Sequence, residues 1–283
     1  VINPGLVATY GISAFISYGL VYPAAAMISL VVLTIGFRKF GSSVKAGTLA
    51  QWMGKKYESK GFALYFAILS LLLLTFVVLI AVGLTKVISK TLDVPELYVL
   101  IATIVFIFGY MMFGGANSMV YTNTVQAIIM LFVAFILLGS GYAYFQDGVS
   151  GFIGKLGAVD GKLTQLYNES SFLFRDFFEI FIAQIVIGAA IVCQPHIITK
   201  SLLIKDPKGV KSYLISGVIA QSIFFLVVFV GLYARLQFPE LKAGDVALKT
   251  DGIIPAYVVT VFPVFVSLFV VLGLISAGIS TLE

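Results

Sequence analysis

Charge is the scarcest property of this sequence. Its 18 Lys and Arg and 13 Asp and Glu make up 11% of 283 residues, less than half of the roughly 25% that coats a water-soluble globule. That shortage excludes the soluble enzyme folds. Cysteine and histidine are scarcer still. Cys193 stands alone, which excludes a disulfide framework, and with His196 as the sole histidine a Cys/His metal centre lacks enough soft ligands. Any bound cation must therefore be hard and oxygen-ligated. The opening residues carry no charged leader of the kind that starts a signal peptide, and the sequence stops at Glu283 directly after an apolar run, so both ends read as cut.

Apolar residues fill the space that charge leaves. They are 60% of the chain, and mean hydropathy is +1.08. The apolar runs are continuous over helical spanning lengths and do not alternate at period two, which excludes a transmembrane β-barrel. The expectation is an all-α, polytopic integral membrane protein. After an opening stub from Val1 to about Phe15, seven stretches are long enough to cross a hydrocarbon core, near 17–37, 63–86, 96–114, 118–145, 176–199, 211–234 and 256–282. The segments near 146–173 and 236–252 read as solvated loops, so residues 1–283 form a single transmembrane domain.

The isoelectric point of about 9.1 does not point to nucleic acid, because the basic residues sit in short loops between spans, where they set topology. Arg38, Lys39, Lys45, Lys55, Lys56 and Lys60 fall in one loop, and Lys200, Lys205, Lys208 and Lys211 in another. Four spans separate the two loops, so both lie on one face, cytoplasmic by the positive-inside rule. Asp147, Asp160, Glu169, Glu240, Asp245 and Asp251 all fall on the opposite face.

Polar groups enter the bilayer at a few places. Asn3-Pro4-Gly5 opens the stub, and Gln194-Pro195-His196 lies inside the fifth span. A proline inside a helix frees a carbonyl and removes a donor, which lipid tolerates only where protein, water or an ion satisfies the freed group. Two such segments in corresponding positions fit an inverted repeat with discontinuous helices, and ordinary proline kinks are the alternative. In the last span Ala277, Ser280 and Thr281 share one helical face. They offer a carbonyl and two hydroxyls, hard oxygens suited to Na⁺ without a buried formal charge. Gly273, Ala277 and Ser280 equally make a small-residue packing stripe.

Gly114-Gly115-Ala116-Asn117 reads as a tight turn. Beyond it Asn123 and Gln126 lie on one face, either joining neighbouring helices or lining a polar path. Gln184, Gln221 and Ser222 carry the same ambiguity. His196 could carry a proton near neutral pH or serve as a local cap. No Ser, Cys or carboxylate is spaced near it as a nucleophile or acid pair, so no enzyme chemistry is expected.

Three of these stretches carry a resemblance. Gly114-Gly115 followed by Tyr121-Thr122-Asn123-Thr124-Val125-Gln126 resembles the GG and W-T-D-x-V-Q stretch of sodium/solute symporters. Gln194-Pro195-His196-Ile197-Ile198-Thr199-Lys200 resembles their Q-P-H-I-x-x-R, and Ala277-Gly278-Ile279-Ser280-Thr281 their A-x-M-S-T. The three come in the family's order and at about its separations, across nearly the whole chain.

The resemblance implies a five-plus-five inverted-repeat fold of the leucine-transporter kind, here from the second half of the first core helix to the eighth. It also implies alternating access driven by an inward Na⁺ gradient, with Ala277, Ser280 and Thr281 as Na⁺ ligands. Asn3, Pro4 and Gly5 would continue a discontinuous helix, and Gln194, Pro195 and His196 would shape the unwound substrate segment beside Asn123 and Gln126. Asn123 stands where the family usually has an aspartate tied to a second cation route, so a single Na⁺ is implied. Ile187 and Ile191 replace the aromatics of proline carriers, and residues 11–37 lack the carboxylate of sugar carriers, which disfavours both substrates.

The resulting expectation is a multi-pass plasma-membrane symporter with a small organic solute, Na⁺ and the lipid bilayer as partners, no organic cofactor and no nucleic acid. A proton-coupled carrier of the same fold, with His196 titrating, and a transporter-like sensor domain are the alternatives.

Overall fold

The computed structural model describes residues 2–44, 48–92, 94–194, 197, 204 and 207–282. Their backbone is almost wholly helical, as lipid requires: with no water in the hydrocarbon core, each N–H and C=O must be satisfied within its own segment. Among the described residues six helical stretches are long and apolar enough to cross a membrane: Ile12–Arg38, Lys60–Thr85, Glu96–Phe113, Val120–Phe145, Lys208–Gln237 and Val264–Leu282; the third and most of the fourth belong to one helix, Glu96–Gly139. The chain is a multi-pass membrane protein. Each of the six falls on a span expected from sequence; the span near 176–199 is represented by the shorter apolar helix Phe178–Val192.

Three expectations are corrected. The tight turn at Gly114 to Asn117 does not form; the backbone is helical through it, within Glu96–Gly139. A glycine costs a helix only about 1 kcal/mol relative to alanine, and no proline enforces a break there. The segment near 146–173 is not simply a solvated loop, because Gly148–Val159 is a helix that buries Phe152 and Leu156. The last span is not continuous. Ile253–Val261 and Val264–Leu282 are separate helices divided at Phe262, extended before Pro263 as the residue preceding a proline prefers. Pro4 lies within helix Ile2–Tyr10.

The chain divides into two compact units. The first comprises Val1–Trp52 and Ala134–Phe262. Here the helix Tyr22–Val44 runs along Gln184–Val192 at close range, since a β-carbon on Gly188 would fall 2.7 Å from the Tyr22 carbonyl oxygen and 2.9 Å from Ala25 Cβ. Ala26, Leu30 and Val192 continue that contact into a cluster with Val210 and Leu214 of helix Pro207–Leu226.

Helix Ile2–Tyr10 ends at Gly11, whose φ of 74° is open to glycine at little cost. The backbone of Leu163 lies against this break, and Asn168 Nδ2 donates to the Tyr10 carbonyl at 3.2 Å. A second cluster is aromatic. Phe152 stacks 4.4 Å from Phe145 and 5.6 Å from Phe229, and Tyr233 meets Phe229 edge-on at 5.3 Å. Lys242–Ala243 and Val246–Ala247 form a small antiparallel hairpin in register Lys242 to Ala247.

The second unit comprises Met53–Val133 and Pro263–Glu283. Its helices Leu73–Leu92 and Val264–Leu282 pack through small residues. A β-carbon on Gly278 would stand 3.0 Å from Leu84 Cδ1, and one on Gly273 would stand 2.6 Å from Val133 Cγ2.

Candidate functional site

Within the second unit, two sequence-flagged residues 157 positions apart come together: the Ser280 hydroxyl donates to the Asn123 side-chain oxygen. One residue later the Thr281 hydroxyl donates to the Ala277 carbonyl at 2.7 Å. The local reason is helical spacing, since a threonine hydroxyl reaches the carbonyl four residues back. Each hydroxyl has one proton and two lone pairs, so with both protons committed the lone pairs of Ser280 and Thr281 remain available to a cation. The arrangement holds no formal charge. The oxygens of Asn123, Ala277, Ser280 and Thr281 are neutral, hard donors, whose chemistry suits a hard monovalent ion better than a transition metal. Ala277 and Ser280 are half-buried and Thr281 is exposed. Gln126 follows Asn123 by one turn, also half-buried.

The remaining candidates belong to the first unit. Pro4 and Gly5 are buried and Asn3 is exposed. Gly5 is tightly held: its carbonyl accepts from the Thr9 hydroxyl at 3.0 Å, and a β-carbon on it would fall 1.9 Å from the Thr250 carbonyl oxygen. Gly5 is thus a close-packing element. Gln194 is half-buried, and its backbone N–H donates to the Ile191 carbonyl at 3.2 Å, closing the last turn. Among the described residues no hydrogen bond joins Gln194 to Asn3, Pro4 or Gly5. Pro195 and His196 lie outside the described residues.

Sequence reasoning missed two π-helical stretches, Ile16–Val21 and Phe178–Ala183, which pack on each other in the first unit. Such turns widen a helix and recur at functional sites. Ser17, inside the first, is fully buried with no hydrogen-bond partner for its hydroxyl among the described residues, and Gln184, ending the second, is buried. A serine within the apolar run Ile12–Leu20 was the available signal. The π geometry itself has none, because the same residues extend an ordinary α-helix equally well. Thr34, and in the second unit Thr85, also bury hydroxyls without a hydrogen-bond partner among the described residues. At the hairpin, the hydrogen bond and charge of Lys242, 3.0 Å away, hold the Glu240 carboxyl below the usual glutamate range.

Comparison with known proteins adds to this geometry. A model of the sodium:solute symporter family matches residues 2–283. The sodium/pantothenate symporter of Haemophilus influenzae is 25% identical over 283 residues, covering 96% of this chain and 56% of that protein. The sodium/glucose cotransporter 1 of Sus scrofa is 33% identical over 121 residues, 41% of this chain and 18% of the relative. Its Ovis aries counterpart is 25% identical over 248 residues, 78% and 37%. The chain therefore spans about half the length, or less, of these curated relatives. No solved structure matches it.

Proposed function

The chain belongs to the sodium:solute symporter family, a family of transporters and not of enzymes, and from that premise we propose that it imports a small organic solute across the plasma membrane together with Na⁺ by alternating access. The observation that supports this reading most is the pair of adjacent hydroxyls in the second unit, Ser280 donating to Asn123 and Thr281 donating to Ala277. With their protons turned away, both oxygens can face a cation that needs no buried carboxylate. In this reading Ala277, Ser280 and Thr281 bind a single Na⁺. Asn123 orients Ser280, Gln126 extends the polar path, and Asn3, Pro4, Gly5, Gln194, Pro195 and His196 shape the solute segment of an inverted-repeat fold.

The solute is proposed from the relatives. The match to a sodium/pantothenate symporter covers nearly the whole chain, so a small monocarboxylate of that kind leads the panel. Glucose ranks below it, because residues 11–37 contain no Asp or Glu. The test is uptake of radiolabelled solutes by the full-length protein in proteoliposomes, with and without an inward Na⁺ gradient. Uptake that requires Na⁺ is expected; uptake that follows a proton gradient and ignores Na⁺ overturns the coupling. Ser280→Ala is expected to raise the Na⁺ concentration for half-maximal uptake by about fivefold or more, the loss of roughly one hydrogen-bond-strength contact. An unchanged Na⁺ dependence removes Ser280 from the site.

A further inference from the structure

The helix Pro207–Leu226 has two faces of opposite character. Val210 and Leu214 are buried in the apolar cluster with Ala26, Leu30 and Val192. Lys208, Lys211, Ser212, Ile215 and Ser216 are all exposed and line a groove of about 320 Å³. Their spacing puts them on one stripe of the helix, apart from the buried pair. One turn further along, the stripe continues in Ile219, 58% exposed. It thus passes from two ammonium groups through two hydroxyls to bare aliphatic side chains.

The basic end of the stripe lies at a membrane boundary. The span Lys208–Gln237 starts there, and the span Ile12–Arg38 finishes at the same level, since the Arg38 guanidinium donates to the Ile204 carbonyl at 2.5 Å. Lysines at such a boundary lay their stems along apolar surface and present the charge to the headgroup layer.

We propose that this stripe binds one anionic phospholipid of the surrounding bilayer. The phosphate sits against Lys208 and Lys211, the glycerol and ester oxygens against Ser212 and Ser216, and an acyl chain along Ile215 and Ile219. A lysine is a point charge well suited to a phosphate, and each one near the surface contributes about a fivefold gain in affinity for an anionic lipid. A free phosphate would use the same ammonium groups but leave Ile215 and Ile219 uncovered. A zwitterionic lipid supplies the chain but cancels its own phosphate charge. The combination of charge, hydroxyls and aliphatic track therefore selects the anionic lipid.

The test uses the full-length protein in nanodiscs of mixed phosphatidylcholine and phosphatidylglycerol, with retained lipid counted by native mass spectrometry after transfer to detergent. The wild type is expected to keep a phosphatidylglycerol in preference to phosphatidylcholine. Lys208→Ala with Lys211→Ala is expected to weaken it about 25-fold, and the matching pair of Arg substitutions to keep it. Ser212→Asp, which leaves both lysines in place and sets a carboxylate in the groove, is expected to expel the lipid. The proposal fails if the double Ala variant loses less than about fivefold, the share of one lysine, if phosphatidylcholine is retained equally, or if Ser212→Asp keeps the lipid. Displacement by soluble glycerol phosphate would also overturn it, by showing a site for free phosphate.

Discussion

Gly231→Ala is the substitution whose cost the packing of the first unit determines most directly. Gly231 lies where helix Val230–Gln237 crosses helix Ile2–Tyr10. A β-carbon there falls 2.0 Å from the Pro4 carbonyl oxygen, 2.8 Å from Val7 Cβ and 2.9 Å from Ala8 N. Non-bonded heavy atoms settle at about 3.5–4.0 Å, so the helices must part by more than about 1 Å. None of the three atoms is the free end of a flexible side chain. Val7, Ala8 and Val230 are fully buried, so parting also opens gaps among them. Overpacking of this kind costs about 1–3 kcal/mol, and the involvement of main-chain atoms argues for the upper end, against which the better helix propensity of alanine returns up to about 1 kcal/mol.

The control is Gly217→Ala in helix Pro207–Leu226, where an added β-carbon meets nothing within 4 Å and only the propensity gain of up to about 1 kcal/mol applies. The two variants add the same methyl group and should diverge by about 3 kcal/mol, or about 6–12 °C in apparent melting temperature for a chain of this size. The assay is size exclusion of the detergent-solubilised full-length protein after a temperature series. If Gly231→Ala melts within about 2 °C of wild type, or both variants shift alike, the close crossing is refuted.

Three further outcomes follow from other contacts. Phe152→Ala removes a side chain that is 2% exposed and stacked on Phe145 and Phe229, so it should cost about 3–5 kcal/mol in the same melting assay. A loss near zero would return residues 148–159 to the status of a solvated loop. Tyr257→Phe and Ser140→Ala each break the 2.9 Å hydroxyl pair in the first unit; each should cost about 1 kcal/mol, and a double-mutant cycle should show the two losses to be less than additive. Asn123→Asp sets a formal charge beside Ser280, and even at the water-like limit of about 1 kcal/mol at 4 Å it should lower the Na⁺ concentration for half-maximal uptake about fivefold. An unchanged Na⁺ dependence would remove Asn123 from the ion path.

The spans were readable in the sequence because continuous apolar length is a property of the chain alone, and the bilayer leaves backbone within it little choice but helix. The members of the proposed cation site stood out for a different reason. Asn123, Ala277, Ser280 and Thr281 are polar or small residues inside apolar runs, where each polar group needs a partner. Their pairing was not readable. Ser280 was flagged for its lone pairs and Asn123 as a lost carboxylate, and only the folded second unit joins hydroxyl to amide. The Gly148–Val159 helix was hidden by its glycines, which conceal the four-residue spacing of Phe152 and Leu156.

Glycine shows why local sequence runs out where it does. Gly114 and Gly115 read as a turn and stand inside a helix. Gly11, in an equally apolar setting, breaks one at a φ of 74°. Gly231 breaks nothing and exists to let the Pro4 carbonyl approach. A residue without a side chain tolerates all three states at a difference of about 1 kcal/mol, less than one buried contact supplies. The choice therefore passes to distant neighbours: Leu163 and Asn168 hold the break after Tyr10, and the backbone of helix Ile2–Tyr10 fills the space beside Gly231. A short window around any of these glycines contains none of those partners, so the error at Gly114 came from the window rather than from the rule applied to it.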